Sequence, residues 1–268
     1  MIRARLFPTA ALALVAAAAP AADKLKPEEV VQKHLASVSP DAGAFGPRVV
    51  RGECRMYGRQ TGQGSIGGTF VFSTTPPATR LALDFGAAEY GAEVFAFDGT
   101  ETEIGYANKA RGRRSAVATF VSANDTIVKE HLLGGVLNGL WALASLAESG
   151  AKVSYDGLRK LDDRELHRLK YRAKKGQNDL DVSIWLEPET FRHVATVCTR
   201  SYAQAMVGDP TASSRQSDTY FRFEERFGEW KSVEGLAIPT RWTVRYEASS
   251  NQTTEWRYEL AVQQLEKK

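Results

Sequence analysis

The chain has 268 residues, with 35 Lys and Arg against 32 Asp and Glu, a net charge of +3, and 43% hydrophobic residues. That length is enough for one well-buried core, and the charge is too balanced to argue for a nucleic-acid partner. No basic-aromatic constellation revives that idea.

The first 21 residues read as a secretory signal peptide. Arg3 and Arg5 make a basic start, Leu6 to Ala18 an apolar run, and Ala19-Pro20-Ala21 a small-residue cleavage site. No cysteine follows for lipid attachment, and the run is too short for a membrane anchor. Loss of Arg3 and Arg5 lowers the net charge to about +1. The expectation is an exported, periplasmic monomer with no integral span, residues 22–268 forming one domain. Its two cysteines, Cys54 and Cys198, either pair in an oxidising compartment or stay as separate buried thiols.

Pro27 at a first helical position, with Glu28 and Glu29 behind it, predicts an amphipathic helix to Val38. Val30, Val31, Leu35 and Val38 form its stripe, with His34 at the edge. Alternation then predicts strands over 49–57, 69–74, 79–85 and 93–97, separated by Gly- and Pro-rich turns. Gly62-Gln63-Gly64-Ser65-Ile66-Gly67 matches a dinucleotide fingerprint by letter, but a strand follows it where a helix is required, so it reads as a hairpin loop. Lys109, Arg111, Arg113 and Arg114 form a basic loop, either solvated or facing lipid headgroups.

Asn124 to Ser149 carries apolar residues at helical spacing and predicts one long internal helix. Ser122 and Asp125 suggest its capping box, and Gly150 its stop. Gly134, Gly135 and Gly139 lie inside it at roughly 1 kcal/mol each, so such a helix needs tertiary packing. After it, strands are expected over 153–158, 165–173, 180–186, 191–202, 219–227, 238–247 and 255–263. No crossover helices separate them, so the sheet should be antiparallel. The fold class is α+β.

Catalytic patterns are thin. The four histidines, His34, His131, His167 and His193, sit in no zinc signature, and no nucleophile elbow is present. Asp162, Asp163, Glu165 and His167 read as a hairpin end. Glu224-Glu225 and Glu187/Glu189 read as surface acids. The reading is therefore non-enzymatic, without cofactor or metal, with an unrecognised carboxylate-pair hydrolase as a minor alternative.

Tyr155–Lys174, Leu180–Thr196, Trp230–Ser249 and Glu255–Glu266, with the opening LKPEEVVQKHLASV, resemble the outer-membrane lipoprotein-sorting family, the LolA/LolB/LppX-like proteins. The resemblance implies an unclosed antiparallel half-barrel whose concave face holds an apolar cavity covered by helices. It also implies a carrier of a lipid or lipid-modified protein, possessing an arginine that contacts the lid; Arg48, Arg51 and Arg55 stand in the right region without one being singled out. The expected ligand wall is Leu133, Val136, Leu137, Leu140 and Trp141 of the internal helix against Phe70, Phe72, Leu81, Leu83 and Phe85 of the strands. The competing reading is an envelope scaffold with a filled core, binding other envelope proteins.

Overall fold

A computed structural model describes residues 25–41, 44–58, 64–86, 91–106, 114–176, 179–202, 219–249 and 253–267. The expected signal peptide, most of the basic loop and the first two residues of the fingerprint-like stretch lie outside these residues.

Twelve strands form one antiparallel sheet that does not close on itself. They are β1 (Arg48–Gly58), β2 (Ile66–Thr75), β3 (Ala78–Asp84), β4 (Ala92–Phe97), β5 (Thr102–Tyr106), β6 (Lys152–Leu161), β7 (Arg164–Arg172), β8 (Asp181–Leu186), β9 (His193–Tyr202), β10 (Thr219–Val233), β11 (Leu236–Ser249) and β12 (Thr253–Lys267). The order is β5-β4-β3-β2-β1-β12-β11-β10-β9-β8-β7-β6. Two meanders, β1 to β5 and β6 to β12, thus meet where β1 pairs with β12, Cys54 opposite Leu260. Edge strands β5 and β6 lie at opposite ends.

Period-two alternation sorts the faces. On β11 and β12, Trp242, Val244, Tyr246, Trp256, Tyr258 and Leu260 are buried on the inner face. On β1, Val50, Gly52, Cys54 and Met56 point inward while Arg51, Glu53 and Arg55 are exposed. Cys54 and Cys198 are free, buried thiols. Their strands stand four places apart in the sheet, about 19 Å along it, too far to bridge. A smaller cluster on the outer side gathers Leu161, Leu166, Trp185 and Val197, with the Arg168 guanidinium 5.3 Å over the Trp185 ring.

The first helix, α1 (Pro27–Val38), forms as expected, and the Glu29 carboxylate accepts from the Lys26 N–H at 3.0 Å. His34 is not at the stripe's edge: it is wholly buried.

The long helix over Asn124–Ser149 does not exist. A helix α2 (Ala116–Ala123) precedes that stretch, capped by Ser115, whose hydroxyl accepts from Ala118 N–H at 3.0 Å; Ser122 belongs to its last turn. Asn124 ends it. Then come two single turns, α3 (Thr126–Lys129) and α4 (Leu146–Ser149), and a 3-10 turn at Gly135–Leu137. Only the Gly150 stop survives, at φ +68°. Gly134 and Gly135 sit at φ +82° and +50°, in the left-handed region that ends a right-handed helix. The Gly134 and Gly139 N–H groups bond to the side chains of Glu225 and Thr74 instead of carbonyls four residues back. Asn138 turns the chain locally, its Oδ1 accepting from Leu140 N–H at 2.9 Å. The result is a folded cover, residues 114–150, lying in the concavity. Among the described residues no helix is long and apolar enough to cross a membrane.

Candidate functional site

Nine of the ten expected wall residues come together in one buried cluster. Phe70 and Phe72 (β2), Leu81 and Leu83 (β3) and Phe85 supply the sheet side. Leu133, Val136, Leu137 and Trp141 supply the cover side. Leu140 is a correction: without a helix to place it one turn beyond Val136, it lies half-buried at the margin. The contact between the two sides is close. A Cβ on Gly134 would stand 2.2 Å from the Phe72 ring, and one on Gly139 would stand 1.8 Å from the Gly46 carbonyl oxygen. The concave face is therefore filled by the chain's own cover.

Polar pegs hold that cover. Arg48 is buried, and its guanidinium donates to the carbonyls of Ala44 (2.5 Å), Gly46 (3.3 Å) and Val136 (3.3 Å). Burial without an acidic partner among these contacts lowers its pKa to about 10. Of Arg48, Arg51 and Arg55, it is Arg48 that reaches the cover; Arg51 and Arg55 are exposed. Thr74 donates to Asn138 Oδ1 at 3.4 Å and accepts from Gly139 N–H at 3.0 Å. Tyr171 donates to Glu130 at 2.6 Å, and Arg200 to Asn124 at 3.0 Å.

Two further pegs are titratable. The Trp141 indole N–H donates to His34 Nε2 at 3.0 Å, and His34 Nδ1 lies 2.9 Å from the Phe191 carbonyl. That pairing makes the ring neutral with its proton on Nδ1. Trp141 also stacks on His193 with centroids 4.9 Å apart, and His193 Nε2 is 3.0 Å from Thr196 Oγ1. Burial holds the His34 pKa down at about 4 and pushes that of His193 well below the usual range. The second peg is Glu225, fully buried on β10: its Oε1 accepts from Gly134 N–H at 2.8 Å and from the Trp242 indole at 2.9 Å. Burial raises its pKa to about 8, which both N–H donors partly oppose.

Glu225 is not the surface acid that its sequence suggests: it is fully buried. Its neighbour Glu224 is buried too, but on the outer face, covered by Arg222 and Arg226, which both donate to it. The signal was present: Phe223-x-Glu225-x-Phe227 puts the carboxylate on the aromatic side of its strand. A third buried acid, Glu93, accepts from Ser115 N–H at 3.1 Å and from the Tyr258 hydroxyl, and so pins the start of α2 to the sheet. The Asp162–His167 group is a hairpin end as read, with His167 between the Tyr155 hydroxyl (2.7 Å) and the Pro188 carbonyl (3.1 Å). Among the described residues no three His, Cys, Asp or Glu side chains converge as a metal site.

No protein-family model and no curated protein matches the chain. Solved structures do. A LolA superfamily protein from Nitrosomonas europaea shares 12% identity, covering 91% of this chain and 94% of its own, with a TM-score of 0.50. An outer membrane lipoprotein-sorting domain from Vibrio parahaemolyticus shares 11%, covering 89% and 91%, also at 0.50. The fold is LolA-like. At these identities the likeness concerns backbone architecture alone: an open curved sheet spanning nearly the whole of each chain. Within the LolA-like frame, the filled concavity and its pegs are properties of this sequence.

Proposed function

We propose that the protein is a periplasmic carrier, exported by the 1–21 leader, whose single 22–268 domain takes a lipid or lipid-modified protein into the concave face when the cover leaves. The observation that carries this reading is the nature of the cover. It is a glycine-broken coil held at separate polar points over an aromatic wall, not a helix packed along its length.

The energies support exchange. Burying Leu132, Leu133, Val136, Leu137 and Trp141 stabilises the closed state by about 1.5–3 kcal/mol each, on the order of 10 kcal/mol together. A dozen methylenes placed on the same wall gain about 0.8 kcal/mol each, also on the order of 10 kcal/mol. Acyl chain and cover are then near-equal competitors, which suits a protein that must load and unload. No bond need be made or broken in the ligand. Native mass spectrometry of gently purified protein, with uptake of a fluorescent fatty acid, tests the reading. Protein free of lipid and unable to take up the probe would refute it.

The close packing of nine wall residues favours a second reading, an envelope scaffold with a permanently filled core. There, loosening the cover lowers stability and opens nothing.

A further inference from the structure

We propose that Glu225, with the Trp242 indole beside it, is the head-group recognition point of the concave face, and that it selects acyl chains whose head carries an amide N–H. This rests on the carrier reading and specifies its ligand.

The structure contains the precedent. The group on Glu225 Oε1 is a backbone amide, Gly134 N–H at 2.8 Å, delivered by the cover itself. When the cover leaves, that donor leaves with it, and a buried carboxyl loses one of its two partners. Glu225 Oε2 is buried with no partner even in the closed state, so the site has capacity for a further hydrogen-bonding partner. Among the described residues no cation pairs with Glu225, so the group has no charge partner to fall back on. A ligand that displaces the cover at low cost must therefore return an N–H to this spot.

The surroundings place the rest of such a ligand. Trp242 stands 5.8 Å from Phe72, 6.3 Å from Phe70 and 6.2 Å from Phe227, ring centre to ring centre. A head at Glu225 thus puts the first methylenes of its chain on aromatic faces. An amide is the smallest head that joins a donor N–H directly to an acyl carbonyl. A free carboxylate offers only acceptors and, once Glu225 is ionised above about pH 8, sets its oxygens against those of Glu225; a tertiary amide offers the same bulk with no donor.

Three probes of equal chain length separate these cases: N-methyldodecanamide, N,N-dimethyldodecanamide and dodecanoate, titrated calorimetrically into the full-length protein at about pH 9, where Glu225 is ionised. The N-methyl amide should bind at least tenfold more tightly than either of the others. Glu225→Gln, which keeps an acceptor oxygen, should retain a preference for the N–H. Glu225→Leu should bring the two amides within twofold of each other. Equal binding of the two amides to the unaltered protein would overturn the proposal while leaving the carrier reading standing, and that comparison needs no variant to fold. Failure of all three probes, together with no uptake of a fluorescent fatty acid, would remove both.

Discussion

Gly134→Ala separates a removable cover from a permanent core. Gly134 sits at φ +82°, where an L side chain costs roughly 1–2 kcal/mol. Its new methyl would also stand 2.2 Å from the Phe72 ring, an overlap that costs about 1–3 kcal/mol to relieve. The closed cover is thus destabilised by about 3 kcal/mol, a factor on the order of 100. No existing side chain is removed, so the wall a ligand would use stays intact. If loading requires an open state of small population, the apparent dissociation constant equals the intrinsic one divided by that population. Opening the cover then tightens apparent binding by up to about 100-fold while the denaturant midpoint falls. Both are measured on one sample, by chemical denaturation and by uptake of a fluorescent fatty acid. A lower midpoint with uptake unchanged or reduced would refute the removable cover and leave the filled scaffold.

Trp141→Ala removes a fully buried indole and should cost about 3–5 kcal/mol in chemical denaturation, whereas Trp141→Phe should cost only about 1–2, for the lost bond to His34. A loss under 1 kcal/mol for the alanine would show that the ring is not packed as described. Arg48→Met strands carbonyls of Ala44, Gly46 and Val136 and should cost about 2–4 kcal/mol; Arg48→Lys, lacking the fork, should recover less than half. Stability against pH should peak near 6.5. His34 and His131, held at about 4 by burial, bind protons better unfolded, so stability rises with pH between about 4 and 6.5. Glu225, raised to about 8 by burial, binds its proton better folded, so it lowers stability as pH climbs from 4.5 to 8; the histidines outweigh it below 6.5 and leave it unopposed above. That upper limb should slope by roughly 1 kcal/mol per pH unit, and Glu225→Gln should make it shallower in thermal melts; a variant limb as steep as the original would exclude Glu225 as its source.

Much of the sheet was legible because strand burial is written locally. Leu180, Val182, Ile184 and Leu186 need only a period of two to declare a face, and the turns between strands carry their own Gly, Pro and Asp. The cover was not legible for the opposite reason. Its apolar residues recur at helical spacing, yet the chain there forms only single turns. What breaks the helix is tertiary: Gly134 and Gly139 spend their N–H groups on Glu225 and Thr74, 91 and 65 residues away in sequence. The buried pegs lie between these cases. Arg48 and Glu225 each sit in phase with inward residues of their own strands, but a charge in an apolar phase is ordinarily discounted, and the partners that make burial tolerable are gathered from separate places: Val136 and Gly134 of the cover, the Ala44 and Gly46 carbonyls, and the Trp242 indole. His34 looks like an edge residue from α1 alone, because nothing in that helix announces the Trp141 indole that meets it.

The topology explains why a cover exists at all. The chain leaves the sheet at edge strand β5 and must re-enter at edge strand β6, at the opposite end of twelve strands. The connection has to make that journey across the sheet, and most of the apolar side chains of residues 114–150 are buried on the inner face. A straight helix over 124–149 would be about 39 Å long and stiff, and could not follow a concave wall. A coil with glycines at its closest approaches can. Bending costs it the regular backbone hydrogen bonds of a helix, and side chains of the sheet, Glu225, Thr74 and Arg48, replace some of them, while His34 of α1 holds the Trp141 indole. The feature that lets the connection fit the wall therefore also distributes its attachment over separate points. Each can be lost in turn, whereas a helix docked along its length would have to lift as a unit. In this fold, a crossing required by strand order becomes a closure whose strength is set residue by residue.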